Sequence, residues 1–238
     1  MSVPGLKRVM GLLDLLSLKH AEKSFYLSKC ESYHDETSIQ RAGRTSSSVA
    51  NDSMIYTVEC SFADPASEAE WSDFYSLEKL PALISVSGFH TSQRFKALST
   101  GCPVYLAMHS IDGLAVLEGD EYRQKGGGNF ARWQQHITDW HRNLYGGLER
   151  APAVGEGERL IVSAVGPEPL IEMGLKPDLM RAVALEKSPE TRWLAKLDCA
   201  ISLSVKNLSK DVHLYVPMTA QLTSSGAVPQ TQGQNRHA

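Results

Sequence analysis

The stretch from Met54 to about Asp112 limits the fold more than any other part of the chain. Residues 55–62 are β-branched and aromatic, and Tyr56, Val58, Cys60 and Phe62 fall on one face of a strand. Residues 63–67 break the strand, and the spacing predicts a helix over 68–85. Its apolar stripe is Trp71, Phe74, Tyr75, Leu77, Leu80 and Ile84. Ser67 with Glu70 three residues later reads as a capping box. Pro81 should kink or break the helix, because proline lacks the N–H and crowds the preceding turn. Ser87-Gly88 turns the chain into a second strand, 89–98. There Phe89, Thr91, Gln93 and Phe95 alternate with His90, Ser92 and Arg94. Residues 99–103 form a hairpin loop, 104–111 a third strand, and Asp112-Gly113 ends it. Strand, helix, strand and strand make an α+β unit.

The flanking regions read differently. Residues 1–53 are taken as an N-terminal extension, partly disordered. Leu6, Val9, Met10, Leu13 and Leu16 suit one short amphipathic helix, and a Ser/Thr-rich linker follows. Gln124-Lys125-Gly126-Gly127-Gly128 lacks the G-x-x-x-x-G-K-[ST] pattern of a phosphate loop and reads as a flexible connection. Phe130, Trp133, Ile137, Trp140, Leu144 and Leu148 recur at alternating three and four, which predicts a helix. Strands are expected at 159–165, 180–185, 200–205 and 212–218. A short helix is expected after Ser188-Pro189-Glu190, carrying Arg192, Trp193 and Leu194. The organisation is therefore 54–158 as one α/β domain, 159–222 as a second α/β repeat or the completion of the first, and 223–238 as a disordered tail.

Charge and cysteine usage exclude several classes. A formal net charge of −3 does not supply the basic surface of a general nucleic-acid binder or a polybasic membrane anchor. No run approaches the ~20 apolar residues of a membrane helix, and no secretory signal is read at the N-terminus. The four cysteines are widely spaced and form no zinc-like cluster, as befits thiols in a reducing compartment. A cytoplasmic protein without bound metal or cofactor is expected.

From Trp71 to Phe95 the chain runs WSDFYSLEKLPALISVSGFHTSQRF. This resembles the signature of the EthD-like branch of the dimeric α/β-barrel superfamily. In that signature a W-x-x-W-Y-x-x-E-H-L-P helix leads through V-x-G into an R-Y or R-F strand. The strand 104–111 is similar to the family's Y-L-A-x-Y/H strand. The resemblance covers about a quarter of the chain. It implies a ferredoxin-like fold that pairs sheet to sheet as a homodimer, with a pocket between sheet and helices. Relatives include cofactor-free monooxygenases, cyclases, decarboxylases and isomerases, and more distantly haem binders. Where the motif carries Glu-His, this chain has Glu78-Lys79. The family histidine's role is then vacant or has passed to Lys79 or His90.

The candidate residues follow from these placements. His90 on the second strand is the first choice for an acid/base group, since imidazole exchanges protons near neutrality. Arg94, in the same phase, suits an anion clamp. Tyr75, Glu78 and Lys79 share the helix end and are candidates for orienting and proton-transfer roles. His109, Trp71, Tyr105, Trp133 and Trp140 are candidates for lining a substrate pocket. His136 and His141 are five apart and do not make a metal pair. The reading this supports is a cofactor-independent enzyme that moves a proton on an aromatic or polyketide-like substrate. The alternative is a non-catalytic ligand-binding or stress-related barrel. A third, weaker possibility is haem or metal binding through His90 or His109.

Overall fold

The structure, a computed structural model, describes residues 53–200 and 208–224. The expected N-terminal helix, the body of the expected strand at 200–205 and most of the C-terminal tail lie outside these residues. The elements in order are β1 (Met54–Phe62), α1 (Glu68–Asp73), a π-helical segment (Phe74–Lys79), α2 (Leu80–Ile84), β2 (Phe89–Ala97), β3 (Tyr105–Ile111), α3 (Leu114–Glu118) and α4 (Asp120–Gln124). A 3₁₀ helix (Ala131–His136), β4 (Ile137–Gly146), β5 (Glu158–Ser163), α5 (Glu168–Glu172), β6 (Asp178–Leu185), β7 (Thr191–Asp198), β8 (Val212–Pro217) and β9 (Leu222–Thr223) follow.

The eight long strands pair antiparallel in the ring β1-β4-β6-β7-β5-β8-β2-β3 and back to β1. The sheet thus closes into a barrel within one chain, which removes its edges. Closure takes no second copy. Every strand sends side chains into the lumen: Ile55, Phe95, Leu106, Met108, Tyr145, Leu160, Val162, Met180, Leu194 and Tyr215 form one cluster. A second cluster lies outside the first half of the barrel. There Tyr56, Val58, Cys60, Tyr105, Ala107 and Leu144 pack under Trp71, Tyr75, Leu80, Leu83 and Tyr122. A third lies under α5, on the outer face of β5, β7 and β8. One ion pair is buried in the lumen, Arg192 Nη2 to Glu59 Oε2 at 2.5 Å, and it ties β7 to β1.

Several local expectations are corrected. The apolar run after Phe130 is a 3₁₀ turn and then a strand, not a helix. Its aromatic and β-branched residues pair with β1, so tertiary pairing overrides the apparent helical period. Likewise Arg192, Trp193 and Leu194 lie in strand β7, which the barrel needs as a partner for β5 and β6. Pro81 does not end the helix. The chain widens to a π-helix just before it, with the Leu80 N–H bonded to the Tyr75 carbonyl five residues back, and continues to Ile84. Ser67 does not cap α1, because its hydroxyl donates to Asp64 instead. A bulge at His90 moves Phe89 onto the helix-facing side with Ser92 and Arg94. The expected tail beyond 222 begins with strand β9, which adds to β2 through Thr91 and Ser92.

Candidate functional site

The helix-facing side of the first half gathers most of the candidate residues. It does so in two places. Tyr75 and Lys79 lie four apart on the π-helical segment and both point to the sheet, whereas Glu78 between them faces solvent. Lys79 is 7% exposed. Its ammonium donates to the carbonyls of Gly126 and Asn129 and has no carboxylate partner. It sits 5.1 Å from the Phe130 ring centroid and 5.8 Å from that of Tyr75. Burial pushes its pKa down to about 8.

Lys79 borders a narrow cavity of about 10 Å³, room for one water at most. The wall is Tyr56, Tyr75, Tyr122, Phe130, Trp140 and Arg142, with Val58 and Leu83 behind them. The hydroxyls of Tyr56 and Tyr122 lie 3.0 Å apart, and burial raises the Tyr56 phenol well above its ordinary range. The Arg142 guanidinium stacks 4.7 Å from Trp140. Its backbone N–H, not its side chain, bonds to Glu186. The cavity therefore presents two cations, three phenols and aromatic walls, and no carboxylate. The glycine run forms a turn, with the Gly127 N–H bonded to the Tyr122 carbonyl. A side chain at Gly127 would begin 2.4 Å from the Tyr122 ring, so only glycine lets the loop close there.

Arg94 and His109 lie elsewhere in the same layer. Arg94 is 1% exposed, with its guanidinium carbon 4.2 Å from the Tyr75 ring centroid and against Trp71 and Tyr105. Its Nη1 donates to the Ser72 carbonyl at 2.8 Å and the Ser76 hydroxyl at 2.7 Å, while Nη2 is buried without a partner. His109 is fully buried between Tyr56 and Phe89. Its Nδ1 meets the Ser92 hydroxyl at 2.8 Å, its Nε2 is enclosed without a partner, and desolvation lowers its pKa to about 3. It is neutral at physiological pH.

His90 is set apart from all of these. It is partly exposed at the bulge and pairs with Asp112. His90 and Arg94, expected to work together, do not meet. Trp71 stacks on Phe62 and meets Tyr105 edge to face, and Trp133 packs edge to face against Phe62; both belong to the core, and Trp133 also borders an open cleft of about 420 Å³ with Phe74 and Glu78. Tyr105 donates to Glu68. Only Trp140, of the three tryptophans expected to line a pocket, borders the cavity. His109 Nε2 is enclosed, and His90 Nε2 pairs with Asp112. Among the described residues no group of three or more His, Cys, Asp or Glu is placed to hold a metal ion. Among them, too, no helix is long and apolar enough to cross a membrane.

Sequence reasoning missed Tyr56, Tyr122 and Arg142 as cavity residues. The signal for Arg142 was the alternation Trp140, Arg142, Leu144 on one strand face, which the helical reading hid. The loop carbonyls of Gly126 and Asn129 have no side-chain signature at all.

These features define a single-chain, eight-stranded antiparallel α+β barrel with an aromatic, cationic cavity under its helices. No protein-family model matches the chain, and no curated protein matches it. Among solved structures, an anthrone oxidase-like protein aligns with TM-score 0.45 and 8% identity, over 73% of this chain and 94% of that one. A proposed monooxygenase from Lactobacillus acidophilus NCFM aligns at 0.43 and 9%, over 72% and 97%. A proposed chlorite dismutase aligns at 0.40 and 9%, over 70% and 95%.

Proposed function

We propose that the protein is a cofactor-independent small-molecule enzyme that binds an aromatic anion in the Lys79 cavity and moves a proton there. One observation carries the reading: two cations, Lys79 and Arg142, line an aromatic cavity that contains no carboxylate. A buried ammonium without a counter-ion is costly, and an anionic ligand offsets that cost. An amine with a pKa of about 8 exchanges protons readily near neutrality. The strand orders β4-β1-β3-β2 and β8-β5-β7-β6 support a further reading. In it the two halves are fused ferredoxin-like repeats of the dimeric α/β-barrel type, with the first half of the EthD-like branch. The tightness of the closed cavity favours one alternative, a ligand-binding protein without turnover.

Calorimetry with 2-naphthoate, 2-naphthol and naphthalene tests the site. Naphthoate is expected to bind saturably and naphthalene weakly. Lys79→Met and Arg142→Met should each weaken naphthoate by about tenfold or more, the loss of one charge-assisted hydrogen bond. Equal affinity in wild type and both variants would remove the cavity from consideration.

A further inference from the structure

We propose that Lys79 is a carbonyl-capturing amine that condenses with the keto group of an aromatic 2-oxo acid whose carboxylate is held by Arg142. The inference rests on the Lys79 cavity being the ligand site, and it adds the substrate class and a covalent step. Four features support it.

Two of the three ammonium donors of Lys79 are spent on the Gly126 and Asn129 carbonyls, and the third has no protein acceptor. A neutral carbonyl does not lock the proton on the nitrogen as a paired carboxylate would. Next, the walls are Tyr75, Phe130, Tyr56 and Trp140, a surface that accepts an aryl group and favours a cation above its rings. Third, the Arg142 guanidinium enters the same cavity and makes no side-chain ion pair of its own. A planar guanidinium fits a carboxylate in bidentate fashion. Last, the linked Tyr56 and Tyr122 hydroxyls supply a proton donor inside the cavity. The lowered Lys79 pKa provides the neutral amine.

The step balances without an oxidant or reductant. Lys79 first releases one proton to solvent. Its lone pair then forms a C–N bond to the keto carbon, and the carbonyl π pair moves to oxygen, which takes a proton from a tyrosine hydroxyl. The nitrogen of the carbinolamine, still cationic, passes one of its protons to the hydroxyl, and the oxygen leaves as water as the freed nitrogen lone pair forms C=N. The tyrosine recovers its proton from solvent. The iminium keeps the positive charge that the ammonium had, so the aromatic walls hold the same charge before and after. An aryl ligand is larger than the cavity of about 10 Å³. Binding therefore requires the Gly126–Asn129 turn, which Lys79 holds through two carbonyls, to give way.

The test uses the full chain with phenylpyruvate and sodium cyanoborohydride, followed by peptide mapping. One adduct per chain is expected, on Lys79, blocked by 2-naphthoate and absent from Lys79→Met. Arg142→Met should lower its yield about tenfold or more. Phenylacetone, which lacks the carboxylate, should label poorly. Should Lys79→Met not fold, the naphthoate block on the wild type still decides the matter. An adduct scattered over exposed lysines, with Lys79 unmodified while naphthoate binds, overturns the covalent step and leaves the cavity reading standing. If neither naphthoate nor phenylpyruvate engages the cavity, both fall.

Discussion

Replacing Lys79 by methionine should change how stability depends on pH. The side chain is buried and its pKa falls from an ordinary 10.5 to about 8. The folded state therefore holds the Lys79 proton less firmly than the unfolded chain does. Between pH 8 and 10.5 the unfolded chain binds more protons at this position, so the Lys79 contribution to stability rises with pH. Each pH unit of that interval is worth about 1.4 kcal/mol. The ammonium thus costs the fold about 3 kcal/mol at neutral pH, a cost relieved by pH 10.5. Methionine fills similar volume and carries no charge, although it leaves the Gly126 and Asn129 carbonyls to find water. Urea unfolding of both proteins from pH 7 to 10.5 measures the difference directly. Titrations of other groups are common to both and cancel. The gap between wild type and variant should shift in favour of the wild type by about 3 kcal/mol across the interval. Parallel curves would mean that Lys79 titrates as a solvated lysine, and the argument for a reactive amine would lose its physical basis.

Two further outcomes follow from buried charge elsewhere. Glu59→Gln leaves Arg192 unpaired in the barrel lumen and should destabilise by about 3–5 kcal/mol, while Glu59→Leu with Arg192→Met should recover much of that loss; thermal unfolding reads both. His109, held neutral with a pKa of about 3, makes the wild type lose stability as pH falls below its ordinary 6.5, since the unfolded chain then takes the proton first. His109→Gln should remove about 1.4 kcal/mol per pH unit of that acid sensitivity, and acid unfolding followed by circular dichroism tests it.

How legible the molecule was depends on whether an element's cause is local. Strands β1, β2 and β3 and the helix between them follow from alternation and a 3.6-residue stripe inside one short window. Strands β4 and β7 do not. Phe130, Trp133, Ile137, Trp140 and Leu144 satisfy a helical spacing, yet β1 has an open side that only this segment fills. Thr191–Asp198 follows a proline that favours a helix start, yet the ring closes only if it pairs with both β5 and β6. In both places a long-range partner outweighs local propensity. The site divides the same way. Tyr75, Lys79 and Trp140 were reachable from residue type, whereas Arg142 required the correct element and Tyr122 the fold of α4 against the sheet.

The departure at Glu78-Lys79 gains a physical meaning from the helix that carries it. Proline at 81 removes a backbone donor and would crowd the Leu77 carbonyl in a regular α-helix. The helix answers by widening, and the Leu80 N–H reaches back five residues to Tyr75. In that wider turn Tyr75 and Lys79 both face the sheet, and Glu78 faces solvent. An acidic neighbour on the inner face would have paired with the ammonium and held its proton. With Glu78 turned outward, Lys79 meets aromatic rings and backbone carbonyls and no carboxylate. The proline read in the sequence as a helix breaker thus coincides with the local geometry that leaves a buried lysine without an acid partner, and that is the property on which both the anion reading and the carbonyl-capture reading depend.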